Sequence, residues 1–173
     1  SPRPGPSPDS GSFPNVLALS ISSTHFALMP FASLGLDASI LKAVADQGYT
    51  EPTPIQKASI PVIIEGKDVI GVAQTGTGKT AAFTLPLLTR LVRTKNSTHQ
   101  GRVRCLILAP TRELVVQIAE NVAAYSRYAG ATVATCYGGV SERPQIAALR
   151  RGCDFLIATP GRLLDLGGQG HGD

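Results

Sequence analysis

Hydrophobic and polar positions along the chain follow two alternating patterns, one typical of helices and one of buried strands. From Asp37, apolar residues recur at Ile40, Leu41 and Val44, which predicts a helix that ends near Gly48. The same reasoning predicts helices at 55–65, 79–93, 114–125 and 142–151, and strands at 68–73, 103–109, 132–136 and 154–158. Because strands alternate with helices, we expect an α/β fold with a mainly parallel sheet and helices on both faces.

The two ends of the chain have compositions that predict little structure. The first 14 residues include five Pro, four Ser and two Gly, so residues 1–28 are expected to be a disordered extension. Met29 is the single methionine, and we expect translation to start there. Residues 29–166 are expected to fold as one partial domain, and the Gly-rich residues 167–173 to be a disordered tail.

Composition and charge narrow the protein class only coarsely. With 43% hydrophobic and 16% charged residues the chain is expected to be globular, and its net charge of +4 suits a polyanionic partner without requiring one. Cys105, Cys136 and Cys153 lack the spacing of a zinc site or a disulfide framework, so buried, reduced thiols and a cytoplasmic location are expected. No apolar stretch approaches the roughly 18 residues that span a bilayer, so no membrane contact is expected.

The strongest motif is Ala-Gln-Thr-Gly-Thr-Gly-Lys-Thr at positions 73–80, between a predicted strand and a predicted helix. Such a loop cradles phosphates with backbone N–H groups, while Lys79 reaches the β- and γ-phosphates and the Thr80 hydroxyl holds Mg²⁺. Ala73 stands where the first glycine of the pattern is usual, and a structural glycine turn is the alternative. Lys79 and Thr80 are the catalytic candidates, and the nucleotide-binding candidates of this loop are Gln74, Thr75, Gly76, Thr77, Gly78, Lys79, Thr80 and Ala81.

A second motif lies upstream, where residues 48–56 read Gly-Tyr-Thr-Glu-Pro-Thr-Pro-Ile-Gln. This segment resembles the Q motif of DEAD-box RNA helicases, with Phe31 as the isolated upstream aromatic. The resemblance implies that Gln56 reads adenine through the donor and acceptor of its carboxamide, and that Phe31 stacks on the base. Tyr49 is a weaker candidate for stacking. Without the resemblance, Phe31 is interpreted as a core aromatic and Gln56 as a solvated helix residue.

Three further segments resemble motifs that line the RNA backbone in the same family. They are Pro-Thr-Arg-Glu-Leu at 110–114, which resembles motif Ia, the glycine pair at 138–139, and Thr-Pro-Gly-Arg at 159–162, which resembles motif Ib. Each follows the carboxyl end of a predicted strand, where open α/β sheets bind ligands. Taken singly, each could be an ordinary loop or helix cap. The RNA-binding candidates are Pro110, Thr111, Arg112, Gly138, Gly139, Thr159, Pro160, Gly161 and Arg162.

The resemblance runs from about Phe31 to Leu166 and points to the RhlE-like bacterial branch of the DEAD-box helicases. It implies the first RecA-like domain of a P-loop NTPase, with ATP and Mg²⁺ as cofactors and RNA as a partner gripped without sequence specificity. No Asp-Glu-Ala-Asp follows Leu166, and the second RecA-like domain is missing. The chain is therefore expected to bind ATP weakly, to hydrolyse none, and to leave apolar strand edges unpaired.

Three functions stay open on the sequence alone. The leading prediction is the ATP- and RNA-binding part of an ATP-dependent RNA helicase, in which RNA-stimulated ATP hydrolysis is coupled to duplex unwinding. One alternative is a naturally short, non-catalytic RNA-binding module controlled by a nucleotide. The other is a P-loop NTPase with a different partner, such as DNA.

Overall fold

A computed structural model of the chain describes residues 16–18, 30–72, 78–94 and 101–168. A short 3₁₀ helix covers Phe31–Ser33. The helices are α1 (Ala38–Asp46), α2 (Pro54–Ile64), α3 (Lys79–Arg93), α4 (Arg112–Tyr125), α5 (Arg143–Arg151) and α6 (Pro160–Gly168). The strands are β1 (Val16–Ala18), β2 (Asp68–Ile70), β3 (Val103–Leu108), β4 (Val133–Cys136) and β5 (Cys153–Ala158).

The larger sheet has three parallel strands in the order β3-β5-β4. Ile157 of β5 lies opposite Ile107 of β3 on one side and Thr135 of β4 on the other. All six residues of the central strand are buried. Because the strands are parallel, their carboxyl ends meet at one edge, where the three candidate RNA motifs follow.

Helices cover both faces of this sheet, as the sequence analysis expects. Phe155 and Ile157 contribute to the larger core cluster, which includes residues of α1, α3 and α4. Leu156 and Ala158 contribute to a second cluster with Leu149 of α5. Alternate residues of a strand point to opposite faces, so a central strand that serves two cores needs apolar residues on both faces, as at 155–158. The α/β prediction is therefore confirmed.

Local sequence explains where the helices begin. Thr53 and Gln56 form a reciprocal capping box at the start of α2, and Pro54 occupies the first helical position, where a missing N–H costs nothing. The Thr111 hydroxyl accepts a hydrogen bond from the Leu114 backbone N–H at 3.2 Å and so caps α4. The α2 helix continues through Pro61.

Two elements differ from the sequence-based predictions. Val16–Ala18, inside the expected disordered extension, is a strand that pairs in parallel with β2. A three-residue apolar segment is enough to add to an open strand edge, which composition averaged over 1–28 does not reveal. The α6 helix was not predicted, and it extends through Gly168, two residues into the expected tail. Predictions for residues 1–15, 19–29, 73–77, 95–100 and 169–173 lie outside the described residues.

Apolar side chains are exposed where strands lack a second neighbour. β3 is an outer strand of its sheet, and its Leu106 and Leu108 are 49% and 53% exposed. Near the end of β2, Ile70 and Val72 are 59% and 85% exposed. Within the described residues these strands do not pair with each other.

The three cysteines differ in their exposure to solvent. All three cysteines are free; Cys136 and Cys153 are buried, whereas Cys105 is half-buried. Burial raises the pKa of the Cys105 thiol to about 11 and raises the pKa of the other two thiols.

Over the described residues, no helix combines the length and apolar character needed to cross a membrane.

Candidate nucleotide pocket and nucleic-acid surface

A cavity of about 590 Å³ opens between the 3₁₀ helix, the loop before α2, the start of α3 and one face of α4. Its volume lies within the roughly 300 to 1,000 Å³ typical of small-molecule sites. All the nucleotide-binding candidates among the described residues line this cavity. The lining residues are Phe31, Gly48, Tyr49, Thr50, Glu51, Thr53, Gln56, Gly78, Lys79, Thr80, Ala81, Leu114, Gln117, Asn121 and Tyr125.

Gln56 links the Q-motif segment to the end of the phosphate-binding loop. Its Oε1 accepts a hydrogen bond from the Thr53 backbone N–H at 2.9 Å, and its Nε2 donates to the Gly78 carbonyl at 3.2 Å. The side chain is 4% exposed, so it is not the solvated helix residue of the alternative interpretation. A carboxamide has two N–H groups and two acceptor lone pairs, so one of each remains for a ligand.

The start of α3 faces the same cavity. Gly78 adopts a left-handed conformation, with φ of +79°, and no described side chain caps the helix. The first backbone N–H groups of a helix have no partner within the helix, and they carry its partial positive charge. Lys79 and Thr80 follow at the first two helical positions. This end of α3 therefore suits an anion, while Gln74, Thr75, Gly76 and Thr77 lie outside the described residues.

The aromatic candidates have different surroundings. Phe31 is 6% exposed and belongs to the main core, yet it also lines the cavity. Tyr49 is 40% exposed, and its hydroxyl is 3.0 Å from that of Tyr125, with the ring centroids 6.0 Å apart. Burial, followed by this hydrogen bond, raises the pKa of Tyr125. Both aromatic candidates thus reach the cavity, and Tyr49 is tied to α4.

The helix α4 supplies cavity residues that sequence reasoning missed. Leu114, Gln117, Asn121 and Tyr125 line the cavity. Their spacing places them on one stripe of the helix, and none of the four is among the nucleotide-binding candidates predicted from the sequence. A polar Gln and Asn on an otherwise apolar stripe is the signal that could have found them.

The three candidate RNA motifs converge at the carboxyl edge of the larger sheet. Arg112 lies over the Tyr137 ring, with 5.2 Å between the guanidinium carbon and the ring centroid. A side chain added at Gly139 would place Cβ 3.8 Å from Arg112 Nη1, and one at Gly138 would place Cβ 4.0 Å from Arg162 Nη2. Two guanidinium groups therefore flank the glycine pair. The structure thus brings these residues together, and their role in RNA binding stays a prediction.

The backbone of motif Ib is fixed by the sheet and by α6. The Thr159 N–H donates to the Cys136 carbonyl at 2.9 Å, and the Thr159 carbonyl accepts from the Leu163 N–H at 3.2 Å. Pro160 begins the helix, and an added Cβ at Gly161 would meet nothing within 4 Å. Pro110, Thr111, Pro160 and Gly161 are all accessible or partly accessible at this edge. Their exposure leaves room for a large ligand.

Arg162 is held by neighbours that the sequence analysis did not single out. Its Nη2 donates to the Val140 carbonyl at 3.2 Å, and its Nη1 donates to Gln145 Oε1 at 3.4 Å. Gln145 Nε2 in turn donates to the Tyr137 carbonyl at 3.0 Å. Gln145 is four residues before the buried Leu149, so its position on the inner face of α5 could have marked it.

No group of three or more His, Cys, Asp or Glu side chains that could hold a metal ion occurs among the described residues. The Thr80 residue lines the cavity beside the start of α3. A single hydroxyl together with phosphate oxygens and waters is the kind of oxygen-rich ligand set that Mg²⁺ takes at nucleotide sites. The residues present are therefore compatible with an ion that arrives with its nucleotide.

Comparisons with known proteins agree with this geometry. The chain is 49% identical over 138 residues to the DEAD-box ATP-dependent RNA helicase CshA of Streptococcus pneumoniae, which covers 80% of the chain and 25% of that protein. It is 49% identical over 136 residues to the ATP-dependent RNA helicase DeaD of Escherichia coli K12, covering 78% of the chain and 21% of the relative. The chain thus spans about a quarter or less of the length of these curated relatives. The RhlE-like placement stays a prediction.

A solved structure, that of a hypothetical ATP-dependent RNA helicase from Sulfolobus tokodaii, superposes with a TM-score of 0.67 at 36% identity. It covers 79% of this chain and 38% of that protein, and it supports the RecA-like α/β fold. The family model for DEAD/DEAH box helicases matches residues 53–171, five residues past Leu166, where the resemblance was expected to end. Because this match covers most of the chain and includes both candidate sites in large part, the chain belongs to the DEAD/DEAH box helicase family.

Proposed function

We propose that this chain forms the ATP- and RNA-binding part of the first RecA-like domain of an ATP-dependent RNA helicase. The observation that carries the proposal is the presence of two sites on one helix. One face of α4 lines the cavity at Gln117, Asn121 and Tyr125, while its first turn contains Arg112 beside the glycine pair. An ATP site and an RNA surface that share a helix are what a nucleotide-driven RNA enzyme requires.

In the cavity, each group has a task that follows from its chemistry. The free N–H and lone pair of Gln56 match the N7 acceptor and N6 donor edge of adenine, which guanine lacks. The Phe31 and Tyr49 rings offer apolar surface to the base. Lys79 and the unpaired N–H groups at the start of α3 neutralise phosphate charge. Mg²⁺ bound at the Thr80 hydroxyl would add further positive charge at the β- and γ-phosphates.

At the sheet edge, the residues suit phosphates rather than bases. Arg112 and Arg162 supply charge, the glycine pair lets a backbone approach closely, and the Thr111 hydroxyl keeps a proton to donate while its oxygen caps α4. Contacts of this kind bind any sequence. In the whole protein, we propose that ATP binding and hydrolysis are coupled to the separation of RNA duplexes, and that this takes place in the cytoplasm, where free thiols stay reduced.

The nucleotide site is tested by binding rather than by turnover, because the 173 residues contain no Asp-Glu-Ala-Asp. Fluorescent ATP and GTP analogues are titrated with Mg²⁺ into the wild type, Lys79→Ala and Gln56→Ala. We expect Lys79→Ala to weaken both nucleotides and Gln56→Ala to remove the preference for ATP. Lys67→Ala is the matched control, since Lys67 is exposed and its Nζ pairs with Glu65 Oε2 across 2.9 Å. Equal affinity of the wild type for ATP and GTP would contradict the adenine-reading role.

The RNA surface is tested with a labelled single-stranded oligoribonucleotide and the DNA of the same sequence. We expect Arg112→Ala and Arg162→Ala each to lower the affinity and to reduce the salt slope by about 0.7, the value for one lost phosphate contact on a single strand. Arg151→Ala is the control, because Arg151 is exposed at the opposite end of α5, next to the amino end of β5. Tighter binding of the DNA would favour the alternative partner instead.

A further inference from the structure

A buried glutamine lies directly beneath the candidate RNA surface. Gln145, on the first turn of α5, is 8% exposed. Its Nε2 donates to the Tyr137 carbonyl at 3.0 Å, immediately before the glycine pair, and its Oε1 accepts from Arg162 Nη1 at 3.4 Å. One carboxamide therefore joins the loop after β4 to α6. These two elements carry different motifs and are not adjacent in the sequence.

We propose that Gln145 is a positioning residue for RNA binding, which fixes the Gly138-Gly139 loop and the Arg162 guanidinium relative to each other. This inference rests on the proposed function, because it takes the glycine pair and Arg162 as phosphate-contacting groups. Arg162 Nη2 also donates to the Val140 carbonyl at 3.2 Å, so the guanidinium is held between α5 and the loop. The loop, the glutamine and the arginine form a closed set of hydrogen bonds.

The carboxamide of Gln145 satisfies both of its partners because it carries a donor at one end and an acceptor at the other. The Tyr137 carbonyl is an acceptor and needs a donor, whereas the Arg162 guanidinium has donors only and needs an acceptor. Glutamate offers acceptors alone, so it would bind Arg162 more strongly and leave the Tyr137 carbonyl without its donor. Methionine has a similar volume and offers neither. The two replacements therefore change the charge and the position of Arg162 separately.

These differences define the expected results on the full chain. Gln145→Glu neutralises Arg162 in place, so affinity for a single-stranded oligoribonucleotide should fall about tenfold and the salt slope should fall by about 0.7. Gln145→Met frees Arg162 with its charge intact, so affinity should fall severalfold while the salt slope stays unchanged. Affinity for an ATP analogue should not change in either variant. Gln47→Glu, an exposed position at the end of α1, controls for the change in net charge.

A merely structural role for Gln145 makes a different prediction. In that case RNA affinity would follow thermal stability, and Gln145→Glu would lose the same factor whether residue 162 is arginine or alanine. Under the proposal, Gln145→Glu causes a smaller loss of affinity in the Arg162→Ala background than in the wild type, because only the bond to the Tyr137 carbonyl is left to lose there. Additive losses, or an unchanged salt slope in a folded Gln145→Glu variant, would overturn the inference. Should that variant fail to fold, wild-type affinity in Gln145→Met would overturn it. Absence of RNA binding by the wild type would instead overturn the proposed function on which it rests.

Discussion

Replacement of Gly78 by alanine tests the junction between the Q-motif segment and α3. Gly78 has φ of +79°, and an added Cβ would overlap Gln56 Nε2 and lie 3.2 Å from its Cδ. The left-handed conformation costs a residue with a Cβ about 1 to 2 kcal/mol. Displacing Gln56 also removes its bond to the Gly78 carbonyl, and a typical hydrogen bond contributes about 1 kcal/mol. We expect the free energy of unfolding to fall by about 2 to 3 kcal/mol.

Gly130→Ala is a matched control for backbone strain. Gly130 has φ of +69°, and an added Cβ there would meet nothing within 4 Å. Urea titrations followed by circular dichroism would give the free energy of unfolding of each variant. Titrations with ATP and GTP analogues would give its nucleotide affinity and selectivity. In Gly130→Ala the free energy of unfolding should fall only by the cost of the left-handed backbone, and the affinity for ATP should not change. In Gly78→Ala both the free energy of unfolding and the selectivity for adenine should fall. Equal losses of stability in the two variants, with adenine selectivity intact, would refute the role assigned to the Gln56–Gly78 contact.

Three further predictions follow from other contacts. Asp154→Ala removes the buried carboxylate whose Oδ1 lies 3.0 Å from the guanidinium of the partly buried Arg104, and it should cost about 3 kcal/mol in a denaturant titration. Loss of the exposed Arg127 should cost under about 1 kcal/mol. Thr111→Ala should cost about 1 kcal/mol by removing the α4 cap, and Thr111→Ser should restore it. Burial raises the pKa of Cys105 from 9.0 to about 11, so between these values the folded thiol keeps a proton that the unfolded thiol loses. The free energy of unfolding should therefore decline from pH 9 toward pH 11, and it should decline less steeply in Cys105→Ala.

The sequence predicted the parts of the fold that depend on local patterns. The apolar run of β5 and the stripe through Ile118 and Val122 on α4 specify buried elements directly, because periodicity reflects which face is covered. It also predicted which motifs meet, since parallel strands place their carboxyl ends at one edge. The helix Pro160–Gly168 was missed because its motif was interpreted only as an RNA contact after a strand, and β1 was missed because three residues give no periodicity.

The parts of the sites that sequence reasoning missed depend on tertiary contacts. The spacing of Gln145 from Leu149 could have marked it as an inward-facing residue, but its two partners, the Tyr137 carbonyl and Arg162, are revealed only by the packing of α5. Sequence reasoning also missed that Gln56 bonds the Thr53 N–H and the Gly78 carbonyl, and its adenine-reading role stays a prediction. The roles given to the Gln74–Thr77 segment stay predictions.

The helix α4 joins the two sites as a single rigid element. Its 14 residues extend about 21 Å, from the Arg112 end at the sheet edge to Tyr125 beside the cavity. If a nucleotide bound near Tyr125 shifts this rod, the arginine end moves with it. By thermodynamic linkage, if the bound nucleotide raises the affinity for the polyanion by some factor, the bound polyanion raises the affinity for the nucleotide by the same factor.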